Sequence, residues 1–363
     1  MSSVDFAIIG GGVAGVSAAA ELSALGSVLL FEAEQQLGYH ASGRSAAMFL
    51  PCYGNAVVRA MNEASADAHE AAGVLSPRRF LVVAPDSKRD AFDADVAELG
   101  LTRIGPDDAV DILPILNPDW LADAATLPAW DLDTDLLIQT YRRRALAQGA
   151  RIETGARVTG IAHGDGGWQI TWNSGAARAA NVVNAAGAWA DTVATMAGLE
   201  ALRLIPHRRS VAQLAAPGGH DVSDWPFVEE VGEAWYAKPD AGRWLVSPAD
   251  ADPVDPGDAW ADDMVLAEGL ARYQDAVTEE VTRPLHSWAG LRTFAHDKTL
   301  VIGPDPRAPG FWWLAGQGGY GFQTAPAAAR HLAERVDGRA PALGAQASTA
   351  LDPERLVQTA VSG

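Results

Sequence analysis

Three features of this 363-residue sequence predict an α/β fold with a parallel sheet at its centre. An apolar run near the amino terminus leads directly into a glycine-rich turn. A helix-like segment and a second apolar run follow, and further strand-like runs return later in the chain. This order of elements is typical of a Rossmann-like nucleotide-binding domain. The length exceeds what one core usually accommodates, so we also expect a second domain.

The first strand, Val4–Ile9, is short and apolar, as buried parallel strands are. The next six residues, GGGVAG, follow the G-x-G-x-x-G pattern, and a helix is predicted from about Ala14 to Leu25. The three glycines of this pattern allow a tight turn, a close approach to a pyrophosphate and close packing of the helix on the strand. We therefore predict a dinucleotide site that includes Gly10, Gly12, Val13, Ala14 and Gly15.

The second strand, Val28–Phe31, ends in Glu32 and Ala33. Glu32 stands 17 residues after Gly15, where a carboxylate can accept hydrogen bonds from an adenosine ribose. Either FAD or NAD would fit the sequence up to this point. The next segment, GYHASGRSAAM at residues 38–48, favours FAD, because its small and hydroxyl-bearing residues can lie along an extended ligand.

Motifs along nearly the whole chain resemble the FAD-dependent D-amino-acid oxidase and dehydrogenase family, which includes glycine oxidase and sarcosine oxidase. They are IIGGGVAGVSAAAELSALGSVLLFEAE, GYHASGRSAA, VVNAAGAWAD, IPHRRS, YAKPDAG, SPADADPV, WAGLRTF and GQGGYGFQT. Within the family, the sequence is most similar to bacterial D-arginine dehydrogenases. The resemblance implies a Rossmann-like FAD-binding domain built from discontinuous segments, and an α+β substrate domain with a mixed or antiparallel sheet.

On this basis we predict that residues 1–50, 145–200 and 295–345 form the FAD-binding domain. Residues 51–144 and 201–294 are then the substrate-binding domain. The chain after about Ala342 is rich in alanine and proline, and residues 346–363 are expected to be a loosely ordered tail.

The resemblance implies further contacts with FAD. Ser42, Arg44 and Ser45 are expected at the pyrophosphate and ribityl chain, with Ala46 and Ala47 beneath the flavin. A second glycine signature, GQGGYG at residues 316–321, would bring the backbone and a helix amino terminus to the flavin ring. The remaining residues predicted to contact FAD are Val158, Ala186, Gly187, Trp189, Gly290, Gly316, Gly318, Gly319, Tyr320, Gly321, Phe322 and Gln323.

We predict non-covalent FAD. The segment YHASG at residues 39–43 looks a little like the W-H-A-x-G context of the flavin-linked histidine in dimethylglycine dehydrogenase-like enzymes. D-arginine dehydrogenase-like sequences share the Tyr-His pair without using it for a bond. Cys52 is in the wrong place for the flavin-linked cysteine of sarcosine oxidase-like enzymes.

The reaction that the resemblance implies is oxidation of an amino acid by hydride transfer from Cα to flavin N5. The imino acid is then hydrolysed to a 2-oxo acid and ammonia. Such a site needs an arginine, whose planar fork matches a carboxylate. The resemblance places Arg292 on the substrate carboxylate, with Arg209 in support and Tyr53 and Tyr236 as hydroxyl donors.

The predicted side-chain pocket departs from the D-arginine dehydrogenase pattern. Where that pattern has a glutamate, a histidine and a threonine, this sequence has Phe80, Met48 and Leu50. Gly319 is also assigned to the pocket. A buried cation facing Phe80 would lack a counter-charge, at a cost on the order of several kcal/mol. We therefore expect hydrophobic side chains to be preferred to arginine or lysine.

The composition of the sequence limits the classes of binding partner that we expect. The formal net charge of −19 argues against a nucleic-acid or anionic-membrane partner. No apolar run approaches the roughly 20 residues of a membrane span, and the amino terminus does not look like a signal peptide. The single cysteine, Cys52, fits a reducing cytoplasm. We expect a cytoplasmic protein without a metal site, peripheral to the membrane if a quinone accepts its electrons.

Several alternatives stay open at this stage. The substrate could be a secondary amine such as sarcosine or an N-methyl amino acid, or a 2-hydroxy acid. A catalytically silent FAD-binding subunit is disfavoured because Arg292, Tyr53 and Tyr236 are all present. The electron acceptor could be a quinone, a dye or oxygen, and the preference for D-amino acids comes from the resemblance alone.

Overall fold

The computed structural model describes residues 2–164 and 166–357, which fold around two β-sheets. The strands are β1 Ser2–Ile9, β2 Val28–Phe31, β3 Met48–Phe49, β4 Leu75–Ala84, β5 Thr102–Ile104, β6 Asp123–Leu132, β7 Arg151–Glu153, β8 Val158–Gly164, β9 Gly167–Trp172, β10 Gly175–Asn184, β11 Ile205–Leu214, β12 Phe227–Glu230, β13 Tyr236–Asp240, β14 Arg243–Ser247, β15 His286–Phe294, β16 Val301–Pro304 and β17 Phe311–Ala315. The helices are α1 Val13–Leu22, α2 Ala56–Ala72, α3 Arg89–Leu99, α4 Pro106–Ile112, α5 Thr134–Ala147, α6 Ala190–Met196, α7 Asp263–Ala276, α8 Gly321–Val336, α9 Gly344–Leu351 and α10 Glu354–Val357.

The first sheet has the strand order β16-β17-β10-β1-β2-β7, with a β8–β9 hairpin joined to β10. Neighbours from β17 to β7 are parallel, whereas β16 and the hairpin pair antiparallel. Helices α1, α5 and α8 share one apolar core with the strands, and α6 covers the other face. The predicted α/β fold class with a Rossmann-like sheet is confirmed.

The second sheet is mixed, in the order β15-β11-β14-β13-β12-β4-β6-β3, with β5 on β6. Its pairs are antiparallel except that β12 runs parallel to β4. One face packs against α4 and α7, which bury Trp235 and Trp244. The opposite face carries a separate apolar cluster that includes Phe80 and Tyr236. This second face is the one that receives the candidate site.

The two sheets draw their strands from different parts of the chain. Strands of the first sheet come from residues 2–31, 151–184 and 301–315, and those of the second from residues 48–132 and 205–294. Helices α2 and α5 lie in the predicted substrate segment, yet they pack against α8 and α1 of the first sheet. Their apolar side chains, such as Met61 and Ile138, are buried in the core of that sheet.

The carboxyl-terminal segment differs from the loosely ordered tail that the composition suggested. Residues 344–357 form α9 and α10, which bury Leu351 and Leu356 in the two cores of the first sheet. These leucines provide the apolar burial that an alanine-rich segment lacks. Residues 358–363 of the predicted tail lie outside the described residues. Among the described helices, none has the length and apolarity needed to cross a membrane.

Replacing Leu351 by alanine should lower the free energy of unfolding by about 2–5 kcal/mol, because the fully buried side chain leaves a cavity. Denaturant unfolding of the two proteins measures this difference. The matched control is Gln346→Ala, an exposed position on the same helix, which should change stability by no more than about 0.5 kcal/mol. Equal effects of the two substitutions would show that α9 does not contribute packing.

Candidate functional site

The glycines of the turn between β1 and α1 have two different roles. Two of them allow close packing of protein atoms, and one leaves space for a ligand. Gly10 has φ +109°, and a Cβ there would overlap the carbonyl oxygen of Ala185. A Cβ on Gly15 would overlap the carbonyl oxygen of Gly10. Both positions therefore exclude side chains because protein atoms already fill the space.

Gly12 is different, because the space beside it is bounded on one side only. A Cβ there would meet just one atom within 4 Å, the Ser42 Oγ at 3.2 Å. The same oxygen accepts a hydrogen bond from the Val13 N–H at 3.0 Å, at the first residue of α1. Gly12 and the following Ala14 are only partly buried. This cradle at a helix amino terminus fits the pyrophosphate of a dinucleotide.

Glu32 is held rigidly beside this turn. Its carboxylate is 8% exposed and accepts hydrogen bonds from the Gly11 N–H and the Glu34 N–H, both at 2.8 Å. Each oxygen of an ionised carboxylate accepts two hydrogen bonds, so both retain capacity for a ribose hydroxyl. Ala33 follows at the same end of β2.

The other predicted dinucleotide residues of the first sheet converge on the same edge. Ala186 and Gly187 follow β10, where the Ala185 N–H donates to the Ile9 carbonyl beside the glycine turn. The Trp189 ring lies 4.7 Å from the His40 ring, so it contacts the residue 38–48 segment. Val158 begins β8 opposite Trp172, which packs on Phe31 at the end of β2.

Arg44 contacts residues of the second sheet and the loop before α7. Its guanidinium donates to the carbonyl oxygens of Ala259 and Ala289 at 2.9 and 3.0 Å, and it pairs with Asp258 at 2.5 Å. These three acceptors hold the side chain against β15 and the loop before α7. Arg44 thus fastens the segment to the second sheet, and its contact with the pyrophosphate and ribityl chain stays a prediction.

The rest of this segment crosses from the first sheet to the second. Ser45 is exposed, and Ala46 and Ala47 are partly buried. The Ala46 carbonyl accepts from Lys238 Nζ at 3.5 Å, and the Ala47 carbonyl accepts from the Leu132 N–H at 3.4 Å. A Cβ on Gly290 would lie 3.6 Å from the Arg44 Cβ, so a bare backbone of β15 packs against the segment.

The second glycine signature brings the end of β17 onto β15. Gly316 and Gly318 have φ of +70° and +52°, and a Cβ on Gly318 would overlap the Phe294 ring. The Gly318 N–H donates to the Thr293 carbonyl at 2.8 Å. A Cβ on Gly319 would lie 3.1 Å from Arg292 Nη1. The turn thus wraps the Arg292 guanidinium, and α8 begins at Gly321 immediately after it.

Three residues predicted to contact FAD at this turn also make contacts within the protein. Phe322 lies in the core of the first sheet. Gln323 Oε1 accepts from the Leu50 N–H at 2.7 Å, and the Gln323 carbonyl bonds His69 Nε2 at 2.9 Å. The Tyr320 ring stands edge-on to the Tyr53 ring at 5.5 Å. Side chains in the first turn of α8 point back to the core, as helical side chains do.

Four predicted catalytic residues come together where the two sheets meet, and we call Tyr53, Arg209, Tyr236 and Arg292 the clamp. The Arg209 Cζ lies 5.8 Å from the centre of the Tyr236 ring, and its Nε donates to the Asp250 carbonyl at 2.8 Å. The Arg292 Nε is buried and has no hydrogen-bond partner among the described residues. Of the two arginines, Arg292 therefore has the more available fork.

Sequence reasoning missed Glu233, which is bonded to two members of the clamp. Its Oε1 accepts from the Tyr53 hydroxyl at 3.2 Å, and its Oε2 lies 3.4 Å from Arg209 Nη2. Burial by itself raises the pKa of Glu233, but the charges of Arg209 and Arg292 outweigh it and hold the pKa below its usual value. The carboxyl is therefore ionised at neutral pH.

Glu229 and Tyr53, which lie near Glu233, have pKa values above their usual ones. Burial, followed by the charge of Glu233, raises the pKa of Glu229 to about 8, so this carboxyl is protonated at neutral pH. Glu229 lies directly opposite Tyr236 in the β12–β13 pair and so shares its face of the sheet. Burial, followed by the charge of Glu233, also raises the pKa of Tyr53, which keeps its hydroxyl a neutral donor.

The predicted pocket residues lie in one apolar cluster beside the clamp. Leu50 and Phe80 are buried, and Met48 is partly buried against them. Phe227, which the sequence reasoning missed, pairs with Phe80 in register and lies 5.7 Å from it, ring centre to ring centre. It stacks on the Tyr236 ring at 5.1 Å. An aromatic row thus extends from the clamp to Phe80.

Residues 5–335 match the family model described as FAD dependent oxidoreductase. The chain belongs to this family. FAD is therefore its cofactor, and the Gly12 cradle and the fixed Glu32 carboxylate fit the pyrophosphate and the ribose of its ADP moiety.

Three known proteins show the range of this FAD-dependent oxidoreductase's relatives. Human mitochondrial dimethylglycine dehydrogenase is 23% identical over 91% of this chain and 42% of its own length. L-proline dehydrogenase from P. horikoshii superposes with a TM-score of 0.82 at 20% identity, over 99% of both chains. Glycine oxidase from Geobacillus kaustophilus gives 0.82 at 22% identity, over 94% of this chain and 96% of that chain. The chain spans 34% to 58% of the length of the curated relatives considered.

Metal ligands are not grouped in the described part of this FAD-dependent oxidoreductase. No three side chains of His, Cys, Asp or Glu converge there as a metal site would require. The polar groups at the clamp are instead guanidinium, hydroxyl and carboxyl groups, which suit the binding of an organic anion.

Gly12→Ala should reduce flavin content while the apoprotein keeps near-normal stability. The added methyl group meets only the Ser42 Oγ, yet it narrows the space in front of α1. Gly15→Ala is the matched comparison, and it should also destabilise the apoprotein because its methyl group overlaps the Gly10 carbonyl. Flavin absorbance per protein and thermal unfolding of both apoproteins test this. Normal flavin content in Gly12→Ala would contradict the assignment of the cradle.

Proposed function

We propose that this protein catalyses the FAD-dependent oxidative deamination of D-amino acids with hydrophobic side chains, giving a 2-oxo acid and ammonia. The observation that carries the proposal is the Arg292 guanidinium. It lies at the junction of the two sheets, beside the glycine signature, and no carboxylate of the described residues lies within ion-pair distance of it. An arginine fork without an ion-paired acid at contact distance is suited to a carboxylate ligand.

The clamp supplies what this chemistry asks of the protein. Arg292 anchors the substrate carboxylate, and the hydroxyls of Tyr53 and Tyr236 donate to it. Arg209 supports the same charge from β11, where its Nε bond to the Asp250 carbonyl fixes the guanidinium. FAD, when bound, accepts the hydride from Cα. The chain's own contribution is to orient the substrate and to admit it with a neutral amine.

The preference for hydrophobic side chains rests on the row of Phe80, Phe227 and Tyr236. Phe80 is 3% exposed and contacts apolar neighbours, among them Leu50. A cationic side chain in this cluster would meet no ionised acid there, because the neighbouring Glu229 is protonated at neutral pH. The preference for the D-configuration rests on the family resemblance of the motifs. Non-covalent attachment of FAD, the electron acceptor and a cytoplasmic location stay predictions from the sequence.

A second candidate is the oxidation of a secondary amine that carries a carboxylate. The relatives named above include enzymes whose names refer to proline and dimethylglycine, which are secondary and tertiary amines. Such substrates would use the same carboxylate clamp. They differ only on the amine side.

An anaerobic reduction screen of the purified holoenzyme tests the proposal. The panel is D- and L-amino acids with apolar, acidic and basic side chains, sarcosine, proline and 2-hydroxy acids. We expect bleaching of the visible flavin band to be fastest with an apolar D-amino acid such as D-phenylalanine or D-leucine. Fastest reduction by D-arginine, by sarcosine or by a 2-hydroxy acid would contradict it.

Arg292→Met should lower kcat/KM for the best substrate by about 10² to 10³, because a desolvated carboxylate would lose its charge partner. Steady-state kinetics with normal flavin content measures this. The control is Arg243→Met, which removes an exposed arginine from β14 of the same sheet and should leave kcat/KM unchanged. If both variants keep full activity, Arg292 does not hold the substrate.

A further inference from the structure

Glu233 engages two of the donors that the proposed function assigns to the substrate carboxylate. Its oxygens contact the Tyr53 hydroxyl and the Arg209 guanidinium, one each. We propose that Glu233 is a specificity-determining residue, an internal carboxylate that occupies part of the clamp until a ligand carboxylate anchored on Arg292 displaces it. This inference rests on the proposed function, because it assumes that Arg292 receives a carboxylate.

The turn between β12 and β13 aims Glu233 at the clamp. The Glu230 N–H donates to the Trp235 carbonyl at 3.0 Å and closes the base of the turn. Trp235 is fully buried, and Arg272 Nη2 donates to the Ala234 carbonyl at 3.3 Å. Glu233 itself has φ +51°, a left-handed conformation that costs on the order of 1 kcal/mol in a residue other than glycine. The surrounding contacts hold the residue in this orientation.

Displacement of Glu233 requires only the rotation of one side chain. The side chain is 42% exposed, whereas that of Arg209 is 9% exposed. A carboxylate that leaves the clamp therefore returns directly to water, which solvates its charge. Arg209 keeps its bond to the Asp250 carbonyl and stays in place for the incoming ligand.

The charges explain which ligands can make this exchange. Glu233 compensates Arg209, while Arg292 has no ion-pair partner among the residues that the structure describes. A ligand with a carboxylate binds Arg292 first and can then replace Glu233 at Arg209 and Tyr53. An amine without a carboxylate binds neither arginine and leaves Glu233 in place. Glu233 thereby raises the selectivity for amino acids over simple amines.

Glu233 competes with a carboxylate ligand for the clamp, and this competition sets the expected effect on the ligand's affinity. The apparent dissociation constant equals the intrinsic one divided by the fraction of molecules with an unoccupied clamp. If Glu233 occupies the clamp about nine-tenths of the time, its removal lowers the apparent dissociation constant of a carboxylate about tenfold.

The test is ligand binding to the holoenzyme, followed by the change in flavin absorbance. The probe is phenylacetate, which carries a carboxylate and an apolar group but no amine. Glu233→Gln removes the charge, and Glu233→Gly removes the side chain in a residue that adopts φ +51° freely. The matched control, Glu268→Gln, neutralises an exposed carboxylate on α7. Arg292→Met is measured in parallel.

We expect both Glu233 variants to bind phenylacetate about tenfold more tightly than the wild type, and Glu268→Gln to bind it with unchanged affinity. Unchanged or weaker binding in both Glu233 variants would overturn the inference. So would weaker binding of an amino acid with unchanged binding of phenylacetate, since Glu233 would then hold the amine. If Arg292→Met binds phenylacetate as well as the wild type, the proposed carboxylate site itself fails.

Discussion

The close approach of the second glycine signature to β15 is the constraint on which the candidate site depends. The Gly318 N–H bond to the Thr293 carbonyl joins the end of the first sheet to the edge of the second. A side chain at Gly318 would overlap the Phe294 ring, and a Cβ at Gly319 would lie 3.1 Å from Arg292 Nη1. This contact places Arg292 between the first sheet and the apolar face of the second sheet.

The two sheets are joined a second time by the residue 38–48 segment and the residues that follow it. Ser42 bonds the start of α1, Arg44 fastens the segment to β15, and Gln323 holds the Leu50 backbone. The same stretch of chain therefore bounds the dinucleotide cradle at one end and the apolar cluster at the other. Loss of packing at either end should affect both, since rigid elements transmit small shifts across a site.

The sequence predicted the features that depend on local pattern. The glycine turn and Glu32 lie in a motif whose spacing indicates their structure directly, whereas the roles of the clamp residues were implied by the family resemblance. Glu233 and Phe227 were missed because their roles arise from the non-local pairing of β12 with β4 and β13, which no short motif specifies. The contacts of Arg44 and Gln323 within the protein were missed for a related reason. Their partners, Asp258 and Leu50, are distant in sequence, so proximity to a cofactor motif was a poor guide to their contacts.

A crystal structure of the holoenzyme with bound phenylacetate tests the central claim most directly. We expect the ligand carboxylate to lie within hydrogen-bonding distance of the Arg292 guanidinium and the Tyr53 hydroxyl. The phenyl group should then contact the row of Phe80 and Phe227. A ligand bound elsewhere, or one whose carboxylate makes no contact with Arg292, would contradict the account.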